Sequence, residues 1–265
     1  MEGVSLMNNN IQIKPNQILI LCIVLSFLIA PLVSVIERNS KEVESETSPA
    51  QVVDPAPTPE AEEKEEEEEV RWPHQKYYYA GWDKCLDNLH VDCDVAFLGD
   101  SITYQSWFDR DFPDVTICNL GVVSDNIRAL TYRVGTIQTV RAEKVFVMIG
   151  INSLQNDNLD RCIKDYKTLV DTIYSWGDYD LYLISITPLA KNEEGEDDPT
   201  PEIITSFNEA IAEIAAANHA TYLDLHSLVV DSSGYIRPEY TKDGIHLTDE
   251  AYEVWADLMR PYIEG

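Results

Sequence analysis

The tightest constraint on the fold is a run of four apolar residues, Val95-Ala96-Phe97-Leu98, that stops abruptly at Gly99-Asp100-Ser101. The run is too short for an amphipathic helix and is bounded by Asp94 before it and a small polar turn after it, so it reads as a buried strand. A serine just past the carboxyl end of a central strand, opening a helix, sits where α/β folds put their chemistry. Ser101 is therefore the candidate nucleophile. A bare Gly-Asp-Ser is also an ordinary helix N-cap, so the assignment needs partners elsewhere in the chain.

The strand–turn–helix pattern repeats. Val115 to Asn119, Lys144 to Ile149, Asp180 to Ile186 and Thr221 to Leu225 read as further strands. Helical spacing occupies Ile102 to Phe108, Ile127 to Val134, Asp160 to Trp176 and Glu202 to Asn218. A final helix follows Thr248, a good N-cap with Asp249 and Glu250 in the first turn. Pro188 to Pro201 is a long acidic loop, and the Tyr- and Trp-rich segment Arg71 to Asp92 reads as an N-terminal flap across the sheet. Such alternation predicts a five-stranded parallel sheet covered on both faces, a three-layer α/β domain.

The regions before residue 71 differ in composition. Ile18 to Ile36 carries no charge and is long enough to cross a hydrocarbon core of ~30 Å as a helix, so it reads as a transmembrane anchor behind a short arm, residues 1–17. A cleaved signal peptide is the alternative, although the run is long for one and no A-x-A-like site follows. Lys14 on one side and Arg38 and Lys41 on the other leave the orientation open by charge. A short arm ahead of a large domain favours an extracytoplasmic domain and a single-pass protein of the cell membrane. Residues 37–70, with Pro49, Pro55, Pro57, Pro59 and the acidic run Glu65 to Glu69, read as a disordered, self-repelling linker. The domain itself is residues 71–265.

The 265-residue chain has a formal charge of −28, and residues 71–265 contribute 33 acidic against 15 basic side chains. That sign argues against nucleic acid or any strongly anionic polymer as a partner. Cys85, Cys93, Cys118 and Cys162 show no C-x-x-C pair and no zinc-like spacing, so no metal is expected. In an exported domain Cys85 and Cys93 are close enough in sequence to bridge, whereas Cys118 reads as a buried thiol of a core strand.

A serine hydroxyl is a poor nucleophile at neutral pH and needs a base that is itself oriented by an acceptor. Of five histidines, His246 is best placed, just ahead of the last helix in Lys242-Asp243-Gly244-Ile245-His246-Leu247-Thr248. One tight turn, eased by Gly244, lets Asp243 hold the imidazole while the other ring nitrogen faces Ser101. Alone, this would read as a polar loop ahead of a helix; beside three strand-end turns carrying Ser, Gly and Asn, it reads as a site. His226, after Asp224, is the rival base but lies in an apolar, strand-like run. The oxyanion formed on attack needs donors, and the Ser101 N–H, the Gly121 N–H and the Asn152 amide stand at three strand ends.

The four segments Gly99-Asp100-Ser101, Gly121, Gly150-Ile151-Asn152 and Asp243-Gly244-Ile245-His246-Leu247, in this order, resemble the blocks of the SGNH (GDSL-type) hydrolase family. The resemblance covers Asp94 to Gly265. It implies a flavodoxin-like sandwich, catalysis by Ser101, His246 and Asp243 without a cofactor, and an oxyanion hole from Ser101, Gly121 and Asn152. Thr103 excludes the G-x-S-x-G elbow of α/β-hydrolases, and Ser153 stands where many members have Asp. The Leu-Gly-Asp-Ser-Ile-Thr block followed by Trp107 is similar to the platelet-activating-factor acetylhydrolase-like and carbohydrate-esterase branches, which implies a short acyl group, usually acetyl, on a small molecule or glycan. Trp107 reads equally as pocket lining or core. An O-acyltransferase, thioesterase or lysophospholipase would use the same residues, and a non-catalytic glycan-binding module is the remaining alternative.

Overall fold

In the computed structural model, residues 92–265 are described; the arm, the apolar span, the linker and nearly all of the flap expected from sequence lie outside them. Among the described residues no helix is long and apolar enough to cross a membrane. Five strands, β1 (Val95–Gly99), β2 (Ile117–Gly121), β3 (Lys144–Met148), β4 (Asp180–Ile184) and β5 (Thr221–Leu223), form one sheet of order β2-β1-β3-β4-β5. Every pairing is parallel. The helices are α1 (Ser101–Tyr104), α2 (Phe108–Asp111), α3 (Ile127–Arg133), α4 (Ile137–Val140), α5 (Ile151–Leu154), α6 (Leu159–Trp176), α7 (Pro201–Ala217), α8 (His226–Val229) and α9 (Asp249–Ile263).

Because β2 lies on one side of β1 and β3 on the other, the chain reverses direction across the sheet at β1. In open parallel sheets the crevice at such a reversal, outside the carboxyl ends of the strands, is where ligands bind. The register places Gly99 level with Gly121 and with Met148, so the turns after β1, β2 and β3 leave the same edge together.

Both faces of the sheet are apolar, as a covered parallel sheet requires. On one face Phe97, Phe146 and Tyr182 stack in sequence, with ring centroids 5.1 and 4.3 Å apart. Phe108 of α2 lies against Phe97 with ring centroids 4.8 Å apart, and Trp255 of α9 meets Phe108 edge-on at 5.0 Å. On α6, Cys162, Tyr166, Leu169, Val170 and Ile173 recur at helical spacing and are all buried, and Tyr166 meets Phe207 of α7 edge-on. The α9 N-cap is Thr248, as expected, its side chain accepting from the Ala251 N–H.

Three expectations shift. The helix expected over Ile102 to Phe108 is two short helices. Asn119 Nδ2 bonds the Thr103 carbonyl at 2.8 Å and Ser106 Oγ at 3.1 Å, and Ser106 Oγ itself donates to Thr103 O, which ends α1. The second strand is Ile117–Gly121 rather than Val115 to Asn119, because the Val115 N–H turns back to Phe112 O. Trp107 belongs neither to core nor to a buried pocket: it is 53 % exposed in the break between α1 and α2, with the Arg110 guanidinium 5.5 Å from its ring centre. Cys118 is a buried thiol, as expected. Cys93 is a free, buried thiol whose Sγ faces Val140 O at 3.6 Å, and Cys85 lies outside the described residues.

Candidate active site

Ser101 opens α1 at the end of β1, and the bland reading of Gly-Asp-Ser is satisfied at the same time. Asp100 is the N-cap, its Oδ1 accepting from the Ile102 N–H at 2.9 Å. Capping by Asp100 frees Ser101 to hold its hydroxyl at the crevice, with a first-turn N–H that has no partner within the helix. From the other side, Tyr252 of α9 donates its hydroxyl to Ile102 O at 2.7 Å, which ties this turn to the last helix.

His246 comes to Ser101 across 145 positions of sequence, with Nε2 3.0 Å from Ser101 Oγ. Its Nδ1 lies 2.7 Å from Asp243 Oδ2. A carboxylate oxygen only accepts, so Nδ1 carries the proton and Nε2 presents its lone pair to the serine. The turn between them is built as the sequence required. Gly244 adopts φ +95°, and Asp243 Oδ1 accepts the backbone N–H groups of Ile245 and His246 at 3.0 and 2.8 Å. Burial pushes the Asp243 carboxyl up, but the bonds from the His246 ring and from the two backbone amides outweigh it and bring the group down to about 2.

The third turn supplies Asn152. Its Nδ2 donates one hydrogen to Asp125 O at 2.8 Å; that carbonyl can only accept, which fixes the amide's orientation and leaves the second N–H for a ligand. Gly121 departs from expectation. Its N–H donates to Asn119 Oδ1 at 2.9 Å and is not open to an oxyanion. What the position requires is space, since a Cβ there would stand 2.4 Å from Tyr104 N. The oxyanion donors this geometry presents are thus the Ser101 N–H and the Asn152 amide. His226, the rival base, begins α8, where its N–H donates to Ser185 Oγ. Its Nε2 is buried with no hydrogen-bond partner among the described residues, and burial lowers its pKa.

Beneath these turns lie charged residues to which the sequence reading gave no role. Asp125 and Arg133 form a buried ion pair at 2.6 Å. Burial raises the Asp125 carboxyl to about 6 against the opposing pull of Arg133, and raises Asp100 to about 7. A signal was present: Arg133 falls on the inward stripe of α3 with Ile127 and Leu130, a charge among apolar positions. Beside the triad is a cavity of about 390 Å³, lined by Asp243, Gly244 and Ile245 and by Lys191, Asn192, Glu196, Asp197, Asp198 and Tyr235 among others. The acidic loop thus borders the triad.

A hydroxyl, an imidazole and a carboxylate in hydrogen-bonded series, with amide donors at the neighbouring strand end, define a serine hydrolase of the parallel α/β class. The chain belongs to the GDSL-like Lipase/Acylhydrolase family, whose profile matches residues 97–254. It is an ester-hydrolysing enzyme of the SGNH type. Solved structures share the fold. A GDSL-like lipase from Bacteroides thetaiotaomicron is 21 % identical with a TM-score of 0.59, over 71 % of this chain and 98 % of that one. The lipase/acylhydrolase from Enterococcus faecalis is 19 % identical with a TM-score of 0.54, over 64 % and 95 %. An acetylxylan esterase from Geobacillus stearothermophilus is 17 % identical with a TM-score of 0.53, over 65 % and 94 %. No curated protein matches the chain.

Proposed function

We propose that this hydrolase removes short acyl groups, chiefly acetyl, from carbohydrate, and that the apolar run 18–36 tethers it to a cell membrane, with the domain of residues 71–265 on the extracytoplasmic side beyond the acidic, proline-rich segment 37–70. The observation that carries the chemistry is the unbroken series Ser101 Oγ, His246 and Asp243 at 3.0 and 2.7 Å. His246 Nε2 takes the hydroxyl proton as Oγ attacks the acyl carbon. The oxyanion is held by the Ser101 N–H and the Asn152 amide. Collapse expels the sugar oxygen, which takes the proton from His246 and leaves an acyl-enzyme. A water, deprotonated by His246, then releases acetate and restores Ser101.

Support for a glycan comes from the cavity beside Asp243. Its charged lining is mostly acidic, with Glu196, Asp197, Asp198 and Asp243 against the single cation Lys191 among the described residues, which opposes a phosphate-bearing lipid headgroup and favours a neutral substrate such as a saccharide. The fold shared with an acetylxylan esterase points the same way. The full chain should release acetate from an activated acetyl ester and from acetylated oligosaccharides, and Ser101→Ala should abolish both. Full turnover by that variant would refute the assignment. A panel of acyl chain lengths, with and without a sugar acceptor, separates hydrolysis of acetyl esters from acyl transfer, thioesterase and lysophospholipase activity.

A further inference from the structure

We propose that Arg133 is the positioning residue of the oxyanion hole, acting through Asp125 to fix the Asn152 amide. The guanidinium is almost fully buried. Its Nε donates to Asp125 Oδ2 at 2.7 Å, its Nη1 to Leu120 O at 2.7 Å and its Nη2 to Gly99 O at 3.0 Å. Gly99 is two residues before Ser101, Leu120 is the penultimate residue of β2, and Asp125 carries the carbonyl that receives Asn152 Nδ2 at 2.8 Å. One cation therefore joins the turns after β1 and β2 directly and reaches the turn after β3 through a single residue. The Gly99 carbonyl also accepts the Val122 N–H at 3.0 Å, so the first two turns are cross-linked twice.

This arrangement is a poor choice if stability alone were served. A buried ion pair seldom outperforms well-packed apolar residues of similar volume, and Ile127 and Leu130 on the same stripe show that α3 packs with aliphatic side chains. Among the described residues Asp125 Oδ1 is buried with no side-chain hydrogen-bond partner, a further cost that better pairing would remove. Arginine supplies what an aliphatic residue cannot: a planar fork that fixes three acceptors in direction as well as distance. Lysine keeps the charge and loses the fork.

The test compares kcat and KM of the full chain for an activated acetyl ester in wild type, Arg133→Lys, Asn152→Ala and the double variant. Removing one oxyanion donor outright costs about 10²- to 10³-fold in kcat, and Arg133→Lys should lower kcat by about 10- to 100-fold with KM changed less than about threefold. Since both substitutions act on one amide, the double variant should lose no more than about threefold beyond Asn152→Ala alone. Losses that multiply, or a lowered melting temperature with unchanged kcat, would overturn the proposal and leave Arg133 a structural residue. Asp125→Asn, which keeps the backbone carbonyl but weakens its anchor, should reproduce the effect. If neither single variant folds, the pair is a requirement of the fold and the proposal fails. The proposal rests on Ser101 being the nucleophile. Failure of that reading shows as wild-type activity indifferent to Ser101→Ala, whereas failure of this one alone shows as a Ser101-dependent enzyme that Arg133→Lys leaves unimpaired.

Discussion

Replacing Asp243 by Asn should disable the enzyme by moving one proton. In the wild type, Oδ1 accepts two backbone N–H groups and Oδ2 accepts from His246 Nδ1. An asparagine must give its only oxygen to the two amides, which leaves its NH₂ group facing Nδ1. That ring nitrogen must then accept, so the imidazole proton moves to Nε2, the atom 3.0 Å from Ser101 Oγ. A protonated Nε2 is no base. Activity survives only in the reversed rotamer, where two N–H donors face an NH₂ group. Leaving two groups unsatisfied would cost about 1–3 kcal/mol each in a dry interior, but the Asp243 side chain is 54 % exposed and water re-pairs part of what is lost, so the low end applies, ~2–3 kcal/mol in all, or roughly 30- to 150-fold in the active population. That shift predicts a fall in kcat of roughly 30- to 150-fold, less than a fully buried tautomer-holding carboxylate contributes elsewhere. Steady-state kinetics on an acetyl ester reads the rate, and ¹⁵N NMR of the imidazole reads the tautomer. A variant within about tenfold of wild type, or one with its proton still on Nδ1, would refute this account of the triad.

Other perturbations follow from the same geometry. Burial raises Asp100 from 3.8 to about 7, so the folded state binds its proton more tightly than the unfolded chain. The associated stability is full below about pH 3.8 and is lost as pH rises through about 7, on the order of 4 kcal/mol. Asp100→Asn keeps an acceptor for the Ile102 N–H and should flatten this dependence, which urea unfolding at pH 5 and pH 8 measures; parallel slopes in the two proteins would count against it. Gly121→Ala forces a Cβ to within 2.4 Å of Tyr104 N and should cost about 1–3 kcal/mol, or roughly 3–10 °C in melting temperature. Exchanging Glu196 and Asp198 for Lys should raise kcat/KM on anionic esters more at low salt than at high salt, where charges near the cavity are screened. A gain that ignores ionic strength would remove those residues from any electrostatic role.

The parts legible in the sequence were those set by local pattern. Apolar runs of four and five residues marked β1 and β3, helical spacing marked α6 and α7, and Thr248 with two acids behind it marked the start of α9. The triad was legible because Asp243 and His246 share one turn and Ser101 ends a strand. What escaped was set by partners distant in sequence. The end of α1 depends on Asn119 from β2, and the fate of the Gly121 N–H depends on the same side chain. Strand limits moved because register against β1, which no local run encodes, decides which residues pair. Arg133 was visible as a misplaced charge, yet its three acceptors lie 34, 13 and 8 residues away and become one cluster only when the sheet forms.

The distance along the chain between Ser101 and His246 orders events in time as well as space. During synthesis the hydroxyl emerges first, and its base follows 145 positions later. Until the sheet closes and the last turn docks, the nascent polypeptide carries an ordinary alcohol that leaves surrounding esters untouched. Chemical competence is therefore acquired in one late event, and release of acetate during refolding would time the docking of the C-terminal turn directly.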